Sequence, residues 1–295
     1  MRLRDTTRAA LAPAARKSIV FNLARYELLA IFLLLAGEGL LLAGYIVLGV
    51  TLQVLNIIAA AVIVVALRDE RVQLVQALAL LSVFRVVYLS FALLPAIYWL
   101  AIVWVMCLPL ILVIPTVTLY LWVASYGVMF IPIIAIVAHR KLSRHDLGLT
   151  GCLRLTYLIP FGTLVGVGLG VIEYTILANN PLIPNASASE LIRLSIVMIF
   201  FVALVEELLF RVLLQPQLIE RSGAVAGILI TSVIFGAMHA GYANIYEILF
   251  TIGASIVFGV AFYKTKNLPF VVTMHAVDDI LLFGVLPFLP LAVPH

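Results

Sequence analysis

The sequence predicts an all-α, polytopic membrane protein, and three observations predict it. The 295 residues are 65% hydrophobic and only 11% charged, with a mean hydropathy of +1.22, whereas charged residues make up about a quarter of an ordinary soluble domain. The apolar residues come in long unbroken runs, unlike the alternating segments of roughly ten residues that build a membrane β-barrel. The basic residues gather in short segments between those runs, where they set topology, so the net charge of +4 is no signal for nucleic acid. A multi-pass integral protein is therefore expected, in the cell membrane of a prokaryote or the endoplasmic reticulum of a eukaryote, with the lipid bilayer as its solvent and no nucleic-acid partner.

Residues 1–27 carry Arg2, Arg4, Arg8, Arg16, Lys17 and Arg25, which the positive-inside rule places in the cytoplasm. They lack the form of a cleavable signal, because the first apolar run starts only near Glu27. Leu28–Leu48 and Thr51–Leu67 read as spans joined tightly around Gly49. Glu38, flanked by Gly37 and Gly39, reads as a structural acid facing a neighbouring helix, with a functional acid as the alternative. Two parities then compete. Three spans, Val72–Leu94, Ala96–Ile114 and Val117–Ala138, would strand the basic loop of Arg140, Lys141, Arg144 and Arg154 outside. An interfacial helix over Asp69–Arg85, with Asp69, Gln73, Gln76 and Arg85 kept wet, followed by spans Val86–Val113 and Val117–Val137, returns that loop to the cytoplasm and is preferred. Arg85 decides the choice, since inside a span it would need a buried partner. Trp99, Trp104 and Trp122 read as packing or interface aromatics.

The basic linker 139–155 is the best internal boundary. It divides an N-terminal segment with additional helices, 1–155, from a core, 156–295. His139 and His145 in it read as solvated, and Cys107 and Cys152 form neither a disulfide framework nor a CxxC motif. Span Thr156–Leu177 carries Gly162, Gly166 and Gly170 at four-residue spacing, which lets a second helix approach closely. A polar turn over 179–190 contains a formal glycosylation sequon at Asn185-Ala186-Ser187. The apolar run Leu191–Leu214, then Ala224–His239, Ile245–Tyr263 and Leu268–Leu289, complete a transmembrane bundle of about eight spans with one interfacial helix.

The run Leu191–Leu214 is interrupted by Glu206, Glu207 and Arg211. Ionisable groups at such depth are expensive unless paired or solvated in a cavity. Glu207 and Arg211 are i and i+4, so they share a face and can pair. Glu206 lies about 100° round the helix and needs another explanation. Two downstream histidines fall within or at the ends of apolar segments: His239, in Phe235-Gly-Ala-Met-His239, and His275, with Asp278 and Asp279 three and four residues on. An imidazole can relay protons or bind a metal, and a nearby carboxylate can fix its tautomer. Glu206, His239, His275 and Asp279 thus form a set for general-base or metal-assisted hydrolysis. At 1.5 Å per residue, Glu206 and His275 lie about 13 and 10 Å from cytoplasmic ends but His239 about 24 Å, a mismatch that requires its helix to start low, tilt or break.

Glu206-Glu207-xxx-Arg211, Phe235-xxx-His239 and His275-xxx-Asp279, in that order on successive apolar segments, resemble the CPBP family, the CAAX prenyl protease and bacteriocin-processing intramembrane endopeptidases. The resemblance runs from about Leu191 to Leu289. It implies that Glu206 activates a water, assisted by His239 and His275, that Asp279 helps form an oxyanion site, and that Glu207, Arg211 and Phe235 are structural support. It implies a protein or peptide substrate with a prenylated or hydrophobic segment. The prenyl-protein proteases of the family carry Asn at the last motif position. Asp also occurs there in prokaryotic relatives, but an ionised Asp279 cannot donate to an oxyanion, so it must be protonated, orient His275 or bind a metal. Glu206, His239 and His275 have the ligand chemistry of a zinc or other divalent site with an open water position. There is no HExxH, and a metal-free glutamate mechanism is the alternative. Two rivals stand beside the protease: a proton-coupled transporter, which would show inverted repeats, and a catalytically idle scaffold or immunity protein.

Overall fold

The computed structural model describes residues 23–67, 72–106, 114–149 and 155–289, with the side chains of 92–106 and 114–118 outside the description. The arginines and lysine before residue 23, Asp69, Cys107, Cys152, Arg154 and the side chains of Trp99 and Trp104 therefore fall outside it. The described residues are helical, without a β-strand. Seven helices among them are long and apolar enough to cross a membrane. Their outward faces remain apolar, as Val47, Val62, Ile131, Leu164 and Val225 illustrate. This is the arrangement a hydrocarbon solvent imposes, because only helices and closed barrels satisfy every backbone group within the chain.

Helices α1 (Arg25–Leu42) and α2 (Ile46–Leu67) form a tight hairpin. Its turn is at Gly44, whose φ of +83° suits glycine, and not at Gly49. Gly49 sits inside α2, where a Cβ would come within 2.9 Å of the Gly37 carbonyl oxygen.

The interfacial helix expected over Asp69–Arg85 is not observed. Residues 73–85 are the first half of α3 (Gln73–Met106), a single helix of 34 residues. Leu74, Val75, Leu78 and Leu81 along it are fully buried. Arg85 is only 4% exposed because it has the partner a membrane interior demands: its Nε donates to Glu38 Oε1 at 2.8 Å and its Nη2 lies 2.8 Å from Glu38 Oε2. The network extends through Gln53, which donates to Glu38 at 3.0 Å and accepts from the Ser82 hydroxyl at 2.7 Å, and on to Asn56. Glu38 is thus a structural acid binding α1, α2 and α3 together. Helix α4 (Ile114–His139) packs beside α3, and Arg140 at its end donates to the Gln73 carbonyl and the Gln76 side chain.

In the 139–149 loop, His139 and His145 are exposed, as read from the sequence. The Ser143 hydroxyl and N–H both donate to Asp146, which holds that carboxyl below its usual range. Helix α5 (Leu155–Leu177) lies along α11 (Leu268–Ile280) through its glycine stripe. Added Cβ atoms would stand 3.0 Å from the Phe270 ring at Gly162, 2.4 Å from the Met274 carbonyl oxygen at Gly166, and 2.8 Å from that of Asp278 at Gly170. Close backbone approach is what these glycines provide.

Residues 188–222 form one uninterrupted helical rod. It begins as α6 (Ala188–Val197) and ends as α8 (Gln215–Ser222), with α7 (Leu204–Glu207) between two π-helical stretches, Met198–Ala203 and Leu208–Leu214. Wider π turns change which side chains share a face, and they recur at functional sites. Helix α9 (Ala224–Ala237) starts after Gly223, at φ +80°, and runs unbroken to a turn at His239, so no break accounts for the depth of that residue. A short 3₁₀ turn, Ala240–Tyr242, leads to α10 (Ile245–Thr265). Asn244 and Asn267 cap α10 and α11 by accepting from Tyr246 N and Phe270 N. One hydrophobic core, from Ala30 through Leu119 and Leu209 to Phe283, runs through both parts of the chain.

The α5–α11 contact predicts that Gly166→Val destabilises the fold by roughly 1–3 kcal/mol, the range for overpacking a close contact. Gly39→Ala, whose Cβ would meet nothing within 4 Å, should be neutral. Thermal unfolding in detergent micelles compares the two, and equal midpoints would contradict the packing.

Candidate active site

The rod presents Glu206 and Glu207 between its π-helical stretches, and the two carboxylates do different things. Glu207 has no exposed surface. Its Oε2 accepts from Arg211 Nε at 2.9 Å, the i,i+4 pair expected from the sequence. Its Oε1 lies 2.9 Å from Nδ1 of His275 on α11. An ionised carboxylate only accepts, so Nδ1 carries the proton and donates. Arg211 is equally enclosed: its Nη2 donates to Ser255 on α10 at 3.0 Å, and its guanidinium packs 5.5 and 6.0 Å from the ring centres of Phe235 and Phe258.

With Nδ1 engaged, Nε2 of His275 faces the other acids, 3.8 Å from Glu206 Oε2 and 3.7 Å from Asp279 Oδ2. Those separations exceed a direct hydrogen bond and are where a water can bridge. Glu206 is 6% exposed, and its Oε1 accepts from the Tyr126 hydroxyl of α4 at 2.6 Å. The structure therefore brings Glu206, Glu207, Arg211, His275 and Asp279 together. The carboxylate within hydrogen-bond distance of the His275 ring is that of Glu207, whereas the sequence offered Asp278 or Asp279, on its own helix, for that task.

His239 is part-buried at the end of α9, with Nδ1 3.0 Å from the Phe235 carbonyl oxygen. Phe235 packs between the histidines, its ring centre 4.8 Å from that of His239 and 5.9 Å from that of His275. A guanidinium N–H of Arg85 donates to the Met238 carbonyl beside His239, so the buried pair of the N-terminal helices also holds the end of α9.

Beside the two histidines, with Glu206 outside its lining, lies a cavity of about 20 Å³, lined by Glu173, His239, His275, Asp278 and Asp279 with Phe235, Phe258 and neighbours. A space of that size holds a single water. Glu173 of α5, Glu247 of α10 and Asp278 of α11 are all buried on this side. Both carboxyl oxygens of Glu247 and Oδ1 of Asp278 are buried without a hydrogen-bond partner, an expensive arrangement for acids in an apolar interior. Sequence reasoning passed over Glu173 and Glu247, although the cost that singled out Glu206 applies equally to an acid in any apolar run. It also passed over Tyr126, for which no signal exists, since a tyrosine in a span is unremarkable.

Among the described residues no three His, Cys, Asp or Glu side chains come together as a group able to hold a metal ion. Of the ligand set expected from the sequence, Glu206 Oε2 and Nε2 of both histidines are the donor atoms left, and an Nδ1 that donates to a carboxylate or a carbonyl is how a ligating histidine is ordinarily held.

The fold and site define an all-α integral membrane protein with a glutamate–histidine centre enclosed by its own helices. Residues 188–281 match the family model described as type II CAAX prenyl endopeptidase Rce1-like. Over that segment, about a third of its length, the chain is similar to the CPBP, or CAAX protease, family. No curated protein and no solved structure matches the chain. The match spans Glu206, Glu207, Arg211, Phe235, His239, His275 and Asp279, and leaves Glu38, Arg85, Tyr126 and Glu173 outside.

The Glu207 contact predicts that nitrogen-15 NMR of histidine-labelled protein finds His275 protonated at Nδ1. A deprotonated, pyridine-type Nδ1 at neutral pH would contradict the assignment.

Proposed function

We propose that the protein is an intramembrane endopeptidase that hydrolyses a peptide bond in a lipidated, CAAX-type or otherwise hydrophobic protein or peptide, using a water activated by Glu206. The observation that carries this reading is the division of labour within the acidic pair. Glu207 has both oxygens engaged, while Glu206 keeps Oε2 free beside His275 Nε2. The match over 188–281 supports the reaction class.

In the proposed reaction a water between Glu206 Oε2 and His275 gives one proton to Glu206 as its oxygen attacks the scissile carbonyl carbon. The carbonyl π bond opens to a tetrahedral oxyanion, towards which the imidazoles of His239 and His275 are the electrophilic groups. Glu206 then passes its proton to the amide nitrogen, the oxyanion re-forms the carbonyl as the C–N bond breaks, and a carboxylic acid and an amine leave, which exchange the remaining proton to become carboxylate and ammonium. Asp279 supports His275 from the far side of Nε2. Low dielectric strengthens each of these interactions relative to water. No step runs through a metal.

Residues 156–295 would form the catalytic core and 1–155 its support, with the N-terminus and the 139–155 loop in the cytoplasm. The substrate's hydrophobic or prenylated segment would enter from the bilayer.

In proteoliposomes presenting a reporter peptide in prenylated and unprenylated forms, Glu206→Gln is expected to lower cleavage by at least about 10²–10⁴-fold, the usual contribution of a positioned general base. Cleavage at the wild-type rate by this variant would overturn the reading. Protein stripped by a chelator, with no metal found by elemental analysis, is expected to keep its activity. Loss of activity that zinc alone restores would instead assign activation of the water to a divalent ion held by Glu206, His239 and His275.

A further inference from the structure

Glu206 has two carboxylate oxygens, and only one is committed within the protein. Tyr126 donates its hydroxyl to Oε1 at 2.6 Å. The ring is buried and enclosed by other aromatics, with centres 4.9 Å away at Phe84, 6.4 Å at Trp122 and 6.5 Å at Tyr88. A ring packed edge-on in this way has little freedom to swing, so its hydroxyl always meets the same oxygen. A phenol has one proton to donate, and donating it to a carboxylate favours the ionised, basic form. The oxygen left over, Oε2, is the one that faces His275 Nε2.

We propose that Tyr126 is a positioning residue of the peptidase. Its hydroxyl fixes the plane of the Glu206 carboxylate so that Oε2 alone is presented to the nucleophilic water. The inference rests on Glu206 being the general base. It also assigns a part in the reaction to α4, which lies before the matched segment 188–281. The cluster of aromatics that reads as packing is then the mounting of the base.

The test uses the full-length protein in proteoliposomes and compares Tyr126→Phe with Tyr120→Phe, a lipid-facing tyrosine of the same helix that is 57% exposed. Tyr126→Phe should lower kcat by roughly tenfold to a hundredfold, the scale of a hydrogen bond to a charged group. KM should stay within about twofold, because the hydroxyl acts on the base and not on bound substrate. The acid limb of the pH profile of kcat/KM should move to higher pH, since the ionised base has lost its donor. His275 and Asp279 on α11, His239 after α9 and Tyr88 on α3 also face Glu206, and none of them is altered. A variant that merely folds less completely loses active fraction and leaves the limb where it was. Tyr120→Phe should match the wild type. Wild-type kcat and an unmoved limb in Tyr126→Phe, with Glu206→Gln inactive, would overturn the role of Tyr126 alone. Full activity in Glu206→Gln would overturn the peptidase reading with it.

Discussion

The site depends on one buried carboxylate that serves two partners. Glu207 accepts from Arg211 within its own helix and from His275 across the bundle, with no exposed surface. In a low-dielectric interior a guanidinium or a carboxylate alone would be prohibitive, and neither can be removed without stranding the other. The first contact makes the charge tolerable inside the rod, and the second uses it to orient an imidazole carried on α11. Arg211 extends the same clamp to Ser255 on α10, so three helices meet at one ion pair. Everything catalytic in the proposal follows from His275 having its second nitrogen turned towards Glu206.

A second buried pair does comparable work among the N-terminal helices. Arg85 and Glu38 bind α1, α2 and α3, and Arg85 also reaches the Met238 carbonyl at the end of α9, next to His239. Guanidinium groups suit such carbonyls, which have no partner within the helix. The N-terminal helices, which carry no motif of their own, are therefore coupled to the motif-bearing half through Arg85 and Tyr126. A shared core from Ala30 to Phe283 reinforces that coupling.

How much was legible follows from what each signal depends on. Hydropathy reports the solvent, so the all-α bundle and most helix positions could be read directly. The i,i+4 rule is local, so Glu207 and Arg211 could be paired on sequence alone, and the glycine stripe could be recognised as a packing face. Contacts between distant segments could not. Arg85 reads as interfacial because its partner lies 47 residues away, and only the acids on its own helix, Asp278 and Asp279, offer themselves to His275, because Glu207 is on another helix. Tyr126 was invisible for the same reason, lying 80 residues before Glu206. Glu173 and Glu247 are legible by the same rule as Glu206, because the cost of a buried acid applies in any apolar run.

The central claim is that two adjacent carboxylates have been given separate duties, structure to Glu207 and chemistry to Glu206. The thermal unfolding midpoints of Glu206→Gln and Glu207→Gln, measured side by side in the same lipid, test it most directly. Breaking a buried ion pair costs about 3–5 kcal/mol, so Glu207→Gln should melt well below the wild type, while Glu206→Gln should melt close to it. Equal destabilisation by both, or a larger loss in Glu206→Gln, would contradict the division.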